Sequence, residues 1–203
     1  MSLVWCLLAG MAQAQPQTIR VAVLENAPPL GYRDAEGNLT GFAINIARAL
    51  CAEIGARCEF EATRLESLIE RLAAGYFDVA AIGLLNTPER SQKVLFTKAV
   101  YRSVTLWVAR PGIQPGDLGA RISIFRGSAH ETYAKAQHWQ VIGAQTETQM
   151  IEQLAAGVAQ GAIVPLMTSL SLQKSSVFQQ LGLKVTVLQQ PELAGNASFA
   201  INP

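Results

Sequence analysis

Strand-like and helix-like segments alternate along almost the whole chain, and this alternation constrains the fold more than any other feature. Short β-rich runs such as VAAIGLL are followed by stretches in which apolar residues recur at helical spacing. A chain of this kind folds as an α/β protein with mainly parallel sheets covered by helices. The predicted strands are 18–24, 58–62, 78–84, 121–125, 140–142, 162–164, 183–188 and 197–201, and the predicted helices are 43–54, 65–72, 129–137, 150–156 and 166–173.

The alternating segments form two series, which are joined by one β-rich run, YRSVTLWVARPG. No flexible stretch rich in glycine and serine separates the series, so a strand is expected to make the connection. We therefore predict two lobes on a stiff hinge. The predicted parts are lobe 1 at 18–103, completed by 196–203, a hinge strand at 104–109, lobe 2 at 110–188 and a return hinge at 189–195.

The first fifteen residues, MSLVWCLLAGMAQAQ, carry no charged side chain and contain the small-residue pattern Ala12-Gln13-Ala14. This pattern is typical of a secretory signal peptide, here 1–14 with cleavage after Ala14, and predicts a periplasmic protein. The usual basic start is missing, so either the true initiator lies upstream or the leader is unusual. The formal net charge is +1, which excludes a basic field for nucleic acid.

Two cysteines remain after such cleavage, because Cys6 leaves with the leader. Cys51 lies late in a predicted helix and Cys58 opens the next predicted strand, so a reversal of the chain can bring them within bridging range. In an oxidising compartment they form either a disulfide, which we favour, or two buried thiols. The residue pattern predicts neither a metal site nor a cofactor, since it contains no ligand cluster, phosphate loop or dinucleotide fingerprint.

The sequence NTPER follows a buried strand and is expected to start a helix, with Thr87 as N-cap and Pro88 in the first position. Arg90 then lies in the first turn, where a cation opposes the helix dipole by roughly 0.3–1 kcal/mol. A bound carboxylate would reverse that sign. Arg90 is therefore either a solvated surface residue or part of an anion-binding site.

A second strand-to-helix corner, like the one at NTPER, occurs in the other series at ISIFRGSAHETY. Gly127 permits a tight turn with close backbone approach, Ser128 can cap a helix, and the helix is expected to begin near Ala129. Ligands of parallel α/β sheets bind at such strand-to-helix corners. One corner in each lobe predicts a cleft that closes on a small acid.

Three segments together resemble the bacterial periplasmic solute-binding proteins of the polar amino acid type, over about residues 18–202. They are TIRVAVLENAPPLGYRDAEGNLTGFAINIARAL, YFDVAAIGLLNTPERSQKVLFTKAVYRS and DLGARISIFRGSAHETY. The resemblance implies two α/β lobes joined by two hinge strands. The final helix that normally completes the fold in this family is not expected in this sequence. It also implies a monomer that captures a small carboxylate or amino-acid-like ligand and delivers it to an ABC transporter permease in the inner membrane.

The resemblance assigns roles to particular residues. In that family the arginine of the TPER element holds the ligand's α-carboxylate, which implies this role for Arg90. The backbone at Gly127, Ser128 and Ala129 is implied to bind the same carboxylate from the second lobe. Some members carry a disulfide at the places of the two retained cysteines.

The chain departs from the family where an amino acid's ammonium is usually held. The usual acid is replaced after the predicted strand 162–164, and aromatic or hydroxyl positions of the cleft are aliphatic. We therefore expect a carboxylate with an apolar body, or an amino acid held differently. The altered positions expected in the cleft are Pro165, Leu85, Leu65, Ala27 and Leu24, the last with Glu25 beside it.

Two other functions remain open at this stage. A few members of the family are periplasmic dehydratases of cyclic acids, and only Glu25, Glu131 and His130 are placed to act as a proton donor here. The chain can also be a ligand-sensing module of a receptor. We expect a binding protein without enzymatic activity.

Overall fold

The computed structural model describes residues 17–203, so the predicted signal peptide, its cleavage site and Cys6 lie outside the described residues. The strands are β1 Thr18–Val23, β2 Asn26–Ala27, β3 Gly31–Arg33, β4 Leu39–Thr40, β5 Arg57–Ala62, β6 Val79–Leu85, β7 Leu95–Ser103, β8 Thr105–Ala109, β9 Arg121–Phe125, β10 Gln140–Ala144, β11 Gly161–Pro165, β12 Lys184–Val187 and β13 Gly195–Ile201. The helices are α1 Phe42–Glu53, α2 Leu65–Ala73, α3 Pro88–Ser91, α4 Ala129–Ala136, α5 Glu147–Ala155, α6 Leu166–Leu172 and α7 Ser176–Gln180, with a 3-10 turn at Pro191–Leu193.

The first lobe is built on a five-stranded sheet in the order β5-β1-β6-β13-β7. The pairings are parallel on one side and antiparallel around β13, so all strands except β13 run in one direction. Side chains alternate across the sheet. As a result Val21 and Val23 pack with Ile44 of α1 on one face, while Ala22 packs with Leu68 of α2 on the other.

The second lobe repeats this arrangement with the order β10-β9-β11-β8-β12, and here β8 is the strand that runs oppositely. Val108 faces a core that includes Met150 and Leu154 of α5. The neighbouring Trp107 faces the other core, with Ile122 of β9. The predicted α/β architecture of two lobes is thus confirmed.

The connection between the lobes is shorter than the predicted hinge strand 104–109. β7 belongs to the first sheet, whereas β8 pairs with β11 and β12 inside the second. The change of sheet therefore falls at Val104, and residues 105–109 belong to lobe 2. The chain returns between β12 and β13, through the 3-10 turn.

Local differences from the prediction are confined to short elements. Residues 26–40, for which no element was predicted, contain the small antiparallel sheet β2-β3-β4, whose strands are two or three residues long. Helix α7 was not predicted, and α5 begins at Glu147, because the hydroxyl of Thr146 caps it. Among the helices of residues 17–203, none has the length and apolar character needed to cross a membrane.

The predicted disulfide is present between Cys51 and Cys58, whose Cα atoms are 6.1 Å apart. Cys51 is buried in the last turn of α1, and Cys58 lies in β5. The bond therefore ties α1 to the edge strand of the first sheet, at the turn around Gly55, whose φ is 66°. An edge strand has only one neighbour, so this link fixes an otherwise weakly held element.

Candidate ligand-binding site

A cavity of about 330 Å³ lies between the lobes, where the carboxyl ends of β1, β6 and β9 approach one another. Its volume lies in the range of small-molecule sites. Aliphatic side chains form much of its wall. Six of them come from both lobes: Leu24, Ala27, Leu30, Leu65, Leu85 and Pro165.

Arg90 provides the buried cation of the cavity. Thr87 caps the single-turn helix α3 by accepting a hydrogen bond from the Arg90 backbone N–H at 3.3 Å, and Pro88 occupies the first helical position, as predicted. The guanidinium then reaches back into the cleft and donates to the carbonyls of Leu85 at 3.1 Å and Gly127 at 3.0 Å. Its side chain is not a solvated surface arginine, since only 8% of the residue is exposed.

The guanidinium has no carboxylate partner among residues 17–203. Burial lowers the pKa of Arg90, and the neighbouring Glu89 charge offsets this only in part. A buried charge that is satisfied by neutral carbonyls alone is unfavourable by several kcal/mol relative to one with a counter-ion. The site therefore has the electrostatics of an anion-binding site.

The second corner is arranged differently from the prediction at Gly127. Ser128 caps α4 by accepting from the Glu131 N–H at 3.1 Å, and the Glu131 carboxylate accepts from the Gly127 N–H at 2.7 Å. Because this N–H already has a partner and Gly127 is absent from the cavity wall, its expected backbone contact with a ligand stays a prediction. Ser128 and Ala129 do line the cavity.

The remaining predicted positions all reach the wall, but the acids are engaged elsewhere. Leu65, Leu85, Pro165 and Glu25 line the cavity. Glu25 accepts from Arg33 at 2.7 Å, and this ion pair is partly exposed. Glu131 is likewise bonded to Lys135 at 2.8 Å, so neither acid is free to meet a ligand's ammonium.

His130 is the residue that sequence reasoning undervalued. It follows Ser128 by two residues, lines the cavity and is 6% exposed. Its Nε2 lies 2.7 Å from the hydroxyl of Thr105, which in turn donates to the Leu193 carbonyl. Burial and the charge of Arg90 lower the pKa of the His130 imidazole to about 4, so it is neutral near pH 7. Its position beside the corner at Ser128 was the sequence signal that placed this residue near the cleft.

Two further polar residues of the wall had no sequence signal. Tyr101 comes from β7, and burial raises the pKa of its hydroxyl to about 12, so it stays protonated. Its ring fills the space above Gly83, where a Cβ would lie 2.8 Å from the hydroxyl oxygen. Thr168 of α6 is 3% exposed and faces the same cavity. Only the packing of the lobes brings these residues together.

The two lobes are in direct contact beside the cavity. A Cβ placed on Gly127 would come within 2.4 Å of the Cα of Glu66, in the first turn of α2. The Gln145 side chain also donates to the Glu66 carboxylate at 3.4 Å. The structure thus has closely apposed lobes, and this apposition depends on a residue without a side chain at position 127.

The model of the bacterial extracellular solute-binding proteins, family 3, matches residues 19–165. The chain belongs to this family. Among its curated relatives, a putative ABC transporter arginine-binding protein 2 of Escherichia coli (strain K12) is 31% identical over 141 residues, which cover 67% of this chain and 58% of that protein. The histidine-binding periplasmic protein of Salmonella typhimurium is 31% identical over 154 residues, covering 71% and 59%. The chain thus matches somewhat less than three fifths of these relatives' length.

Solved structures of two-lobed binding proteins share the fold. An ancestral arginine-binding protein bound to glutamine superimposes with a TM-score of 0.80 at 24% identity, covering 93% of this chain and 85% of that one. An ancestral amino-acid-binding protein described as a precursor of cyclohexadienyl dehydratase has a TM-score of 0.78 at 22% identity, covering 91% and 82%. At these identities the likeness establishes the fold alone.

Proposed function

We propose that this family 3 solute-binding protein captures a small carboxylate with an apolar body in its interlobe cavity and delivers it to an ABC transporter permease. The observation that carries the proposal is the buried guanidinium of Arg90, which has neutral carbonyls as its only hydrogen-bond partners among residues 17–203. A ligand carboxylate satisfies this charge from within the cavity. Ser128 and Ala129 then contact the same carboxylate from the second lobe.

The charges of the wall disfavour an ordinary amino acid. Pro165 replaces the acid that the family resemblance associates with the ammonium, and Glu25 is neutralised by Arg33. A bound ammonium would lie near Arg90 without a counter-ion, which is unfavourable by several kcal/mol. We therefore infer that the ligand of this chain differs from arginine and histidine at the position of the ammonium group.

The cavity also favours binding over catalysis. A dehydratase needs a general acid aimed at the substrate. Glu25 is held by Arg33, Glu131 is held by Gly127 and Lys135, and the His130 imidazole is neutral near pH 7. Each of the three candidates is engaged with other residues of the protein in this arrangement, His130 through Thr105, so we infer that the protein is not an enzyme.

The cellular setting follows from the family and the leader. We infer that the chain is exported to the periplasm, is cleaved after Ala14 and acts as a monomer. The ligand favours the closed state because it contacts both lobes, and the closed form is the one expected to meet the permease. Nucleic acid is not expected among its partners.

Titration calorimetry of the purified protein tests the proposal, with one panel of amino acids and one of monocarboxylates that have aliphatic or aromatic bodies. We expect saturable binding of a monocarboxylate and weak binding of its α-amino counterpart. Tight binding of lysine, arginine or histidine would contradict the assignment. Incubation with prephenate or arogenate, followed by detection of the aromatic product, tests the enzymatic alternative and is expected to show no turnover.

A further inference from the structure

The hydrogen-bond network around His130 fixes which ring nitrogen carries its proton. The Thr105 hydroxyl has one proton, and the Leu193 carbonyl, 2.5 Å away, can only accept it. The same hydroxyl must therefore accept from His130, whose Nε2 is 2.7 Å away. The neutral imidazole consequently carries its proton on Nε2 and a lone pair on Nδ1.

The Nδ1 atom is an acceptor without a hydrogen-bond partner among residues 17–203. His130 lines the cavity wall and is 94% buried as a residue. Nδ1 keeps some accessible surface. The side-chain polar atoms of the described residues that are both fully enclosed and without a partner are an Arg110 nitrogen and a Glu147 oxygen. Buried polar groups normally have a hydrogen-bond partner, and the few polar groups that line a ligand cavity serve to orient the ligand.

We propose that the ligand is a carboxylate that also carries a hydroxyl group near the carboxylate, and that Nδ1 of His130 accepts the hydrogen bond from this hydroxyl. The inference deepens the proposed function and rests on it. Arg90 and His130 line the same cavity, so the two groups can contact different parts of one small molecule. A 2-hydroxy acid is the simplest acid that carries a hydroxyl donor beside its carboxylate.

A hydroxyl suits this acceptor better than an ammonium does. The imidazole is uncharged, and the nearby guanidinium repels a second cation. A neutral hydroxyl supplies the required proton without adding charge. An acid that lacks the hydroxyl leaves Nδ1 unsatisfied in a buried site, and sites of this kind discriminate strongly against the analogue that lacks the donor.

Three acids with the same carbon skeleton test the inference by calorimetry: 3-methylbutanoate, 2-hydroxy-3-methylbutanoate and valine. A second set, 3-phenylpropanoate with its 2-hydroxy and 2-amino forms, covers a larger body. In at least one set we expect the hydroxy acid to bind at least about 10-fold more tightly than the unsubstituted acid. Equal affinity of these two acids would overturn the role of His130 and leave the carboxylate proposal standing. Preference for the amino acid, or no binding of either set, would overturn both proposals.

Variants at position 130 separate ligand recognition from folding. His130→Gln keeps a polar atom near Thr105 and removes the acceptor at Nδ1, whereas His130→Asn keeps an acceptor at the place of Nδ1. The hydroxy-acid preference is expected to vanish in His130→Gln and to persist in part in His130→Asn. A preference that survives in His130→Gln would refute the inference. His138→Gln, an exposed change, serves as the control and is expected to leave the preference intact.

The ring nitrogens give a readout that does not depend on affinity. Nitrogen NMR of the ¹⁵N-labelled histidines is expected to show His130 as the Nε2–H tautomer in the free protein. Addition of 2-hydroxy-3-methylbutanoate is expected to shift the Nδ1 signal, whereas addition of 3-methylbutanoate is expected to leave it unchanged. An Nδ1–H tautomer, or an unchanged Nδ1 signal at saturation with the hydroxy acid, would contradict the proposal.

Discussion

The guanidinium of Arg90 donates to the carbonyl of Gly127 at 3.0 Å, and this hydrogen bond joins the two lobes. Arg90 lies in the first lobe, beside the end of β6, and Gly127 lies just after β9 in the second. The residue proposed to bind the ligand therefore also contacts the opposite lobe directly. Ligand binding and lobe apposition are coupled through the same side chain.

Replacement of Arg90 by glutamine is expected to weaken binding of the best monocarboxylate roughly 100-fold, because the buried charge-assisted contact is lost. The stability of the unliganded protein is expected to remain or rise, since a buried charge without a counter-ion is removed. Titration calorimetry and thermal unfolding measure the two effects. Arg64→Gln is the control, because Arg64 also borders the cavity but is exposed, and a loss of similar size there would contradict a specific role for Arg90.

Replacement of Gly127 by alanine is expected to hinder closure. The added Cβ would meet the Glu66 backbone at 2.4 Å, and the residue also has a φ of 73°, which alanine adopts only with strain. We expect about 10-fold weaker ligand binding and a larger radius of gyration of the liganded protein in small-angle X-ray scattering.

Gly182→Ala separates closure from strain in that experiment. Gly182 also has a positive φ, 59°, but a Cβ there would meet nothing within 4 Å. Both variants are expected to lose about 1 kcal/mol of stability, whereas only the change at position 127 should alter affinity and radius. Equal effects on affinity would rule out the steric explanation.

Pro165→Asp is expected to shift the preference toward amino acids. Pro165 is the N-cap residue of α6 and borders the cavity, and aspartate is a favourable N-cap residue, so the helix should tolerate it. The new carboxylate supplies the missing counter-ion for an ammonium. We expect valine or phenylalanine to bind this variant at least about 10-fold more tightly than it binds the parent protein.

Pro165→Asn is the matched control, since asparagine caps a helix without adding charge. It should leave the affinity for amino acids nearly unchanged. If the aspartate variant gains no affinity for any amino acid, the charge argument against an ammonium in this cavity is wrong.

Glu147→Gln is expected to change the dependence of stability on pH. Glu147 is 4% exposed, and its Oε2 has no hydrogen-bond partner. Burial raises the pKa of this carboxyl from 4.5 to about 7, although the Ser171 hydroxyl acts in the opposite direction. The folded state therefore holds the proton more tightly, and the free energy of unfolding falls as pH rises from about 4.5 to about 7, by roughly 2–3 kcal/mol.

The glutamine variant should lose this decline and be more stable than the parent above pH 7. Denaturant unfolding at pH 5, 6, 7 and 8 measures it. Glu152→Gln, an exposed change in the same helix, is the control and should leave the slope unaltered. A parental decline that persists in Glu147→Gln would show that another group is responsible.

Reduction of the Cys51–Cys58 disulfide is expected to lower the free energy of unfolding by about 2–3 kcal/mol, the value for a short closed loop. The effect should be localised to α1 and β5, where hydrogen exchange of the backbone amides should increase. In a protein that still carries the leader, a Cys6→Ser background removes the third thiol. A protein that further lacks Cys51 and Cys58 should not respond to reductant, and an equal response would assign the effect to another cause.

Much of the local structure follows from the sequence because each signal is short-ranged. Thr87 and Pro88 specify the start of α3 by a side-chain cap and a fixed φ, and Ser128 does the same for α4. The alternation of strand and helix patterns gives the two α/β lobes. The two-residue strands β2 and β4 were missed, because two residues are too few for any periodicity.

The sequence by itself determined the order of the main strands and helices and the corners at which Arg90 and Ser128 lie, and it favoured the pairing of Cys51 with Cys58. These depend on caps, turns and periodicities within a few residues. Only the tertiary structure decided that His130, Tyr101 and Thr168 share one cavity. The physical reason is that these residues come from α4, β7 and α6, which are far apart in the chain, so the packing of the two lobes, and not any local pattern, brings them together.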